Sequence, residues 1–372
     1  MTLYQARDDS KKPGMIITGA TGFLGRRLIN HLASRYQIYG IGRRTLDDLI
    51  SNHKKDVSWY LVDIADFDAL KGVFNRIKEK GNVEIILHLA GYYDFTGDNH
   101  PEYERTNVQG MKNVLELCVP LKPKRFYFTS SVAACPFPIP GESITEKTPP
   151  TAPPPYSISK RKGEEMLAEY KGIVPSCILR LAAIFSYWCE YEPLYNFINT
   201  WFSGRWNSRI LGGHGNWGIP YLHARDLIAF YLAALEKKDE LQPYEILQAS
   251  PNGVTTIREI FYEVTRCYFG SRRHMIYSPK YPAWAGIWVR EKIGRMIGRV
   301  PFERSWMGQY IDQQLYVDAR HTHQRLDWTP RKNLDIIQCI PQMIRNMQNN
   351  KDEWEYRFQL AKKGLPVSGY ET

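Results

Sequence analysis

The sequence predicts an α/β protein: a doubly wound parallel sheet with helices on both faces, followed by a smaller, mixed C-terminal lobe. Three observations carry that expectation. Short apolar runs alternate with amphipathic stretches from Met15 to Gln248. Evenly spaced glycines punctuate the first alternation. Beyond Phe185 the regularity gives way to irregular sequence rich in Trp, Tyr and Gly.

In order, residues 1–13 are polar and charged, lack the apolar core of a secretory signal, and are expected to fray. Strands are expected at 15–18, 37–41, 58–62, 85–89, 125–129 and 176–181, with 244–248 as a later addition. Helices fit between them at 24–34, 67–80, 102–118 and 157–170, and again at 222–235. Eight prolines fall within 136–155, which excludes a helix or central strand there. That segment reads as an ordered loop delivering Tyr156 to the next helix. The expected organisation is a disordered lead at 1–13 and a Rossmann-type nucleotide-binding domain at 14–185, to which 222–248 returns. A substrate lobe follows at 186–221 and 249–345, and a C-terminal tail at 346–372.

The 372 residues suffice for a full core. The net charge is +10, but the basic residues are spread along the chain, which argues against a nucleic-acid partner. Cys118, Cys135, Cys177, Cys189, Cys267 and Cys339 form no CxxC and no metal-ligand spacing, the pattern of free thiols in a reducing compartment. With no uncharged apolar run of membrane-spanning length, a cytoplasmic protein is expected. Between 283 and 300, Val289, Ile293, Met296, Ile297 and Val300 share one helical face, and Arg290, Lys292, Arg295 and Arg299 lie elsewhere. Such a helix more often turns its apolar stripe to the core; the alternative is peripheral contact with an anionic membrane.

The stretch from Met15 to Leu28 organises the rest. An apolar strand runs into Gly19, Gly22 and Gly25, and then into an amphipathic helix. This geometry aims backbone N–H groups and a helix N-terminus at a pyrophosphate. Gly19 allows the tight turn, Gly22 keeps side-chain atoms away from the phosphates, and Gly25 lets the helix lie on the sheet. The second strand runs into Arg43 and Arg44 with no acid before Asp47, which favours the 2′-phosphate of NADP over the free ribose of NAD. Asp63 could accept the adenine amino group. Leu89, Ala90 and Gly91 allow close backbone approach at the next strand end.

Tyr156 and Lys160 stand one helical turn apart. An ammonium beside a phenol favours the phenolate, so the lysine is expected to lower the tyrosine pKa and make the pair a usable acid–base device. Thr129, Ser130 and Ser131 end the fifth strand, where a hydroxyl can bind a substrate oxygen that gains or loses charge.

The order of these blocks resembles the extended short-chain dehydrogenases/reductases, the NAD(P)-dependent epimerase/dehydratase group. Residues 18–25 are similar to that family's TGxxGxxG, 156–160 to its YxxxK, 180–185 to its LRPxxVYG, 223–227 to its HVxDL and 326–330 to its LGWxP. The resemblance implies Tyr156 as catalytic acid or base, Lys160 as its tuner and ribose anchor, Ser131 on the substrate oxygen with Ser130 as fallback, and Asn107 in support. The cofactor contacts expected are Gly19, Thr21, Gly22, Phe23, Leu24 and Gly25, and Arg43, Arg44, Asp63, Ile64, Leu89, Ala90 and Gly91. Thr129 and Ile184 complete that set with Tyr156 and Lys160. A homodimer through the helices at 102–118 and 157–170 is also implied. Val132 and Ala133 follow Ser131 where the family's dehydratases carry an acidic pair, and Ala182 and Ala183 replace an asparagine common in its sugar-nucleotide enzymes. The expected pocket walls are Tyr92, Tyr93, Phe95, Phe137, Phe185, Tyr187 and Trp188. Together these point to an NADP-dependent oxidoreductase of a hydrophobic hydroxy or keto compound. The alternatives are a nucleotide-sugar epimerase and a non-catalytic NADP-binding sensor.

Overall fold

The computed structural model describes residues 12–44 and 56–363; of the expected frayed lead, 1–11 lie outside this range. The chain opens with β1 (Gly14–Thr18), α1 (Phe23–Leu32), β2 (Gln37–Gly42), β3 (Val57–Leu61), α2 (Phe67–Lys80) and β4 (Val83–His88). A π-helical turn at Tyr103–Gln109 runs into α3 (Gly110–Cys118), then come β5 (Arg125–Ser131), α4 (Pro155–Glu169) and β6 (Ser176–Leu181). Next are β7 (Ala183–Phe185), α5 (Glu192–Phe202), β8 (Ile210–Gly212), β9 (Gly218–Ile219), β10 (Tyr221–His223), α6 (Ala224–Glu236) and β11 (Tyr244–Ala249). The C-terminal part adds β12 (Thr255–Thr256), α7 (Ile257–Phe269), β13 (Ile276–Ser278), α8 (Lys280–Met296), α9 (Arg320–Leu326), α10 (Ile336–Asn349) and α11 (Lys351–Lys362).

Seven strands form one sheet in the order β11-β6-β5-β4-β1-β2-β3, every neighbour parallel. Strands of such a sheet are buried on both faces, which is why they read as continuous apolar runs. Met15 and Ile17 pack with Leu28, Ile29 and Leu32 of α1 and Phe230 of α6. Ile16 turns to the opposite layer, with Val73 and Phe74 of α2 and Met111 and Val114 of α3. The sequence order reverses between β1 and β4, and ligands of open α/β sheets bind at the carboxyl ends of strands at such a switch point.

A second core unites Leu194, Ile198 and Trp201 of α5, Ile260, Phe261 and Val264 of α7, and Ile340, Met343 and Ile344 of α10. Residues beyond 346, read from the sequence as a tail, supply α11 to this core: Phe358 stacks on Tyr195 with ring centroids 3.5 Å apart. The two parts are tied by Asp226 at the start of α6, which accepts hydrogen bonds from the Arg331 backbone and guanidinium at 2.9 and 2.6 Å.

The proline-rich loop ends where α4 begins, with Pro155 in the first turn, where its missing N–H costs nothing. On α4, Gly163 lets the helix lie on β5; a Cβ there would sit 2.5 Å from the Phe128 ring. One turn past Lys160, Glu164 is buried and receives Arg180 of β6 through Nε at 3.0 Å and Nη2 at 2.7 Å, and the Ser130 hydroxyl at 2.6 Å. Arg180 also donates to the Thr148 carbonyl in the proline-rich loop at 2.8 Å.

Helix α8 departs from the commoner sequence expectation: its apolar stripe faces outward. The inward side is taken by other residues. The Trp284 indole donates to the Ser305 carbonyl at 2.7 Å, and Glu291 accepts from the Ser305 N–H at 2.7 Å. A Cβ at Gly294 would stand 2.6 Å from the Arg299 carbonyl oxygen, so that side admits no larger residue.

Removing one partner of the buried pair is expected to be costly. Arg180→Met should lower unfolding free energy by about 3–5 kcal/mol in urea titration, and adding Glu164→Leu should recover most of that loss. A single variant as stable as the wild type would contradict this role.

Candidate active site

The turn after β1 has the geometry the glycines imply. Gly19 has φ +67°, and a Cβ there would lie 2.7 Å from the Ala90 N–H nitrogen. A Cβ at Gly25 would meet the Ala20 carbonyl at 2.6 Å. Gly22 differs: its hypothetical Cβ approaches only the Gly19 carbonyl, at 3.1 Å. Gly22 is the N-cap of α1, with no capping side chain and no acid in the first turn. A helix N-terminus left open in this way attracts an anion, and the cradle fits a dinucleotide pyrophosphate.

The adenosine end is more crowded than the sequence implies. Arg43 lies 3.2 Å from Glu102 and 3.9 Å from Asp63. Arg105, which the sequence reading missed, binds Asp63 at 2.8 Å and Glu102 at 2.6 Å. The Arg105 hydrogen bonds hold the Glu102 carboxyl down at about 2, against the effect of burial. Asp63, read as the adenine acceptor, has both oxygens engaged, one by the Ala65 N–H at 3.0 Å and one by Arg105. An adenine amino group would have to compete with a charged donor. Arg44 donates to the Lys363 carbonyl at 3.1 Å.

Ser131, Tyr156 and Lys160 converge. Ser131 stands close enough to the Tyr156 phenol to act on its ionisation, its own hydroxyl donating to the Leu181 carbonyl at 3.4 Å, and the Lys160 ammonium sits 5.8 Å from the centre of the tyrosine ring. Lys160 Nζ donates to the Thr129 carbonyl at 2.8 Å, so Thr129 acts here through its backbone; its own hydroxyl pairs with Tyr231 at 2.7 Å. The expected lowering of the phenol pKa is not what this geometry produces. Burial pushes Tyr156 up to about 12, with Ser131 opposing, and burial draws Lys160 down to about 8, with Glu164 opposing. Desolvation is the largest cause of both shifts, because burial disfavours the charged form of each group.

Ser130, the fallback for the substrate hydroxyl, lines the cavity but donates its own hydroxyl to Glu164 at 2.6 Å. Asn107 lies buried in the π-helical turn. It accepts from the Tyr92 N–H at 2.6 Å and donates to the Tyr92 carbonyl and the Ser159 hydroxyl, both at 2.9 Å. It is a positioning residue that fixes the loop after β4; a Cβ at neighbouring Gly91 would lie 3.4 Å from Lys160 Nζ.

Beside these groups opens a cavity of about 920 Å³. Ser131, Tyr156 and Ile184 line it, as do Tyr93, Phe95 and Phe137. Tyr191, Phe197, Trp217, Phe302, Trp306 and Tyr310 add to the walls; the sequence signalled them only through its general density of aromatics. Tyr92, Phe185, Tyr187 and Trp188, expected as walls, are not among the lining residues. Tyr92 stacks on His100 and donates to Asp94 at 2.7 Å. Phe185 is core, packed on His223, and Tyr187 covers the other part of the same ring. Trp188 carries the Arg357 guanidinium 4.3 Å over its ring.

The seven-stranded parallel sheet and the glycine turn at its switch point are those of the extended short-chain dehydrogenases/reductases. The chain belongs to the NAD dependent epimerase/dehydratase family, whose pattern matches residues 15–249. It is 30% identical over 184 residues to a D-erythronate dehydrogenase of Haemophilus influenzae, covering 46% of this chain and 54% of that protein. It is 26% identical over 182 residues to a 3beta-hydroxysteroid-dehydrogenase/decarboxylase of Arabidopsis thaliana, covering 46% and 41%. The chain thus spans about half the length of these two relatives. A putative UDP-glucose 4-epimerase of Methanocaldococcus jannaschii is 24% identical over 355 residues, 90% of this chain and 99% of that one. Among solved structures, the fold matches dTDP-glucose 4,6-dehydratase from Bacillus anthracis in complex with NAD, with TM-score 0.68, 18% identity and coverage of 93% and 99%.

The glycines yield a contrast. Gly22→Ala should leave unfolding free energy within about 1 kcal/mol of wild type and weaken dinucleotide binding roughly tenfold or more. Gly25→Ala should unfold the protein outright. Calorimetric binding and thermal melts check both; equal behaviour of the two variants would refute the cradle.

Proposed function

We propose that this chain is an NADP-dependent dehydrogenase/reductase that interconverts a hydroxyl and a ketone on a hydrophobic small molecule. The observation that carries the reading is the large aromatic cavity with Ser131 and Tyr156 in its wall. Apolar walls with a few convergent polar groups suit a lipophilic ligand whose one reacting oxygen is fixed by hydrogen bonds. Three charged side chains reach this cavity, and each is engaged. Asp94 takes the hydroxyls of Tyr92 and Thr96, and Arg290 faces Glu303 at 3.7 Å. A nucleotide-sugar diphosphate would find little here to bind it.

The cofactor would rest on Gly19, Gly22 and Gly25 with its pyrophosphate at the start of α1, and would supply or accept a hydride beside Ile184. Arg43 and Arg44 support NADP: a 2′-phosphate would compete with Glu102 for Arg43. In the reductive direction the Ser131 hydroxyl donates to the carbonyl oxygen and polarises it. The Tyr156 phenol, protonated throughout the neutral range, delivers its proton to that oxygen as charge develops. The Lys160 ammonium, anchored on the Thr129 carbonyl, stabilises the phenolate left behind.

The epimerase reading is favoured by one observation, the nearly full-length match to the archaeal epimerase. Absorbance assays with a panel of polycyclic and aromatic ketones decide between the two. NADPH should be consumed in preference to NADH, and Tyr156→Phe should cut turnover by roughly 10²–10⁴-fold. Conversion of a UDP-sugar without net NADPH consumption would overturn the proposal.

The pH profile carries a sign. Lys160 loses its charge as pH rises through about 8, so reductive kcat/KM should be level below that value and fall above it. In Lys160→Arg the falling limb should vanish from the accessible range, because a guanidinium keeps its charge. A wild-type profile flat to pH 10 would refute the role of the ammonium.

A further inference from the structure

Helix α8 turns a stripe of large apolar side chains to water. Met296 is 85% exposed, Tyr281 76%, Ile293 52% and Trp288 51%, and Ile297, just past its end, 64%. Val289 and Val300 are exposed beside them, and Ile276 and Tyr277 in the preceding strand. More than half of the large apolar side chains exposed among the described residues therefore lie between 276 and 300. Contiguous exposed apolar surface of this kind marks an interaction site. The stripe is too narrow and charged to cross a bilayer, and no helix among the described residues is long and apolar enough to do so.

Cations border the stripe. Between 280 and 304 stand Lys280, Arg290, Lys292, Arg295, Arg299 and Arg304 against Glu291 and Glu303. The acids are spent inside the protein. Glu291 is buried, bonded to the Ser305 N–H and to Arg295, and Glu303 faces Arg290. Asp98 is turned to Arg295 at 3.3 Å. No carboxylate among the described residues pairs with Lys292 or Arg299. An exposed aromatic and aliphatic stripe flanked by uncompensated cations complements the interface of an anionic lipid bilayer.

The other side of α8 adds a second observation. Pro282, Ala283, Gly286, Ile287 and Arg290 line the aromatic cavity, and Gly286 and Arg290 are also solvent-exposed, so the cavity opens along this helix. Trp206, 81% exposed, also lines it and stands at the rim. We propose that α8 lies in the interface of an anionic membrane and that the cavity behind it takes its lipophilic substrate from that membrane. The second half rests on the reductase reading; the docking does not.

The test sediments the full chain with vesicles of phosphatidylcholine, with and without phosphatidylglycerol. Wild type should pellet with the phosphatidylglycerol vesicles and release as salt rises. The variant carrying Ile293→Asp, Met296→Asp and Ile297→Asp should lose roughly tenfold or more in affinity, with unchanged melting and NADPH binding. The variant carrying Lys292→Glu and Arg299→Glu, which spares the apolar stripe, should lose the preference for anionic vesicles. Turnover of a vesicle-dissolved ketone should fall in both variants while that of a water-soluble ketone stays level. Wild type remaining in the supernatant with either vesicle overturns the docking. So does undiminished pelleting of the triple variant, or a wild-type dimer that the triple variant dissociates. Vesicle binding without turnover of any ketone would sink the reductase reading and leave the docking standing.

Discussion

The buried pairing of Arg180 with Glu164 is the constraint on which the site depends. It joins β6 to α4, draws in Ser130 from β5, and reaches Thr148 in the proline-rich loop. Two of those segments, β5 and α4, carry the candidate reacting groups. Ser131 follows Ser130 on β5, Lys160 lies one turn before Glu164 on α4, and Tyr156 stands in the first turn of that helix, just past the loop. Two charges inside a protein are tolerated only when their hydrogen-bonding capacity is met, so the pair has few alternative geometries. Moving α4 along the sheet by even a fraction of a turn would break several charge-assisted bonds together. The tyrosine is therefore held in place by electrostatics set deeper in the core than the cavity it serves.

The same burial sets the proton order of the site. Removing water raises the phenol and lowers the ammonium, so in neutral solution both carry their protons, and the lysine is the first to lose its own as pH rises. A protonated tyrosine suits delivery of a proton to a forming alkoxide. The reverse reaction needs a phenolate, which this environment alone disfavours; the positive charge of an oxidised nicotinamide is of the right sign to assist. Lysine proximity, read from the sequence, captured the attraction and left out the larger desolvation.

What the sequence made legible follows from how local each signal is. A strand buried on both faces, a glycine at positive φ and a tyrosine–lysine turn are each written within a few residues, and the seven-stranded sheet and the convergence of Ser131, Tyr156 and Lys160 follow from them. Side-chain partners far apart in the chain leave no such trace. Glu164 reads as an ordinary helix acid until Arg180 is brought beneath it, and Asp63 reads as a ligand for adenine until Arg105 arrives. The cavity walls show the same division. Tyr93 and Phe95 follow a strand end and were identifiable, whereas Phe302, Trp306 and Tyr310 come from a lobe whose order has no periodicity to read. Phe185 and Tyr187 failed as walls for a tertiary reason, the packing of His223 against them.

Helix α8 shows where composition and periodicity stop short. Its spacing defines an apolar stripe but carries no information about which side the protein will cover. Gly294 and Glu291 decide that: one permits close backbone contact, the other needs the Ser305 N–H and Arg295 to satisfy its carboxylate. Once these two occupy the inner side, the apolar residues have nowhere to go but outward. Covering that stripe with water is unfavourable in proportion to its area, and the fold spends nothing elsewhere to hide it. A helix that lines an apolar cavity with one side and presents aromatics and cations with the other links the two environments, and a lipophilic substrate is the class of ligand for which such a link has chemical meaning.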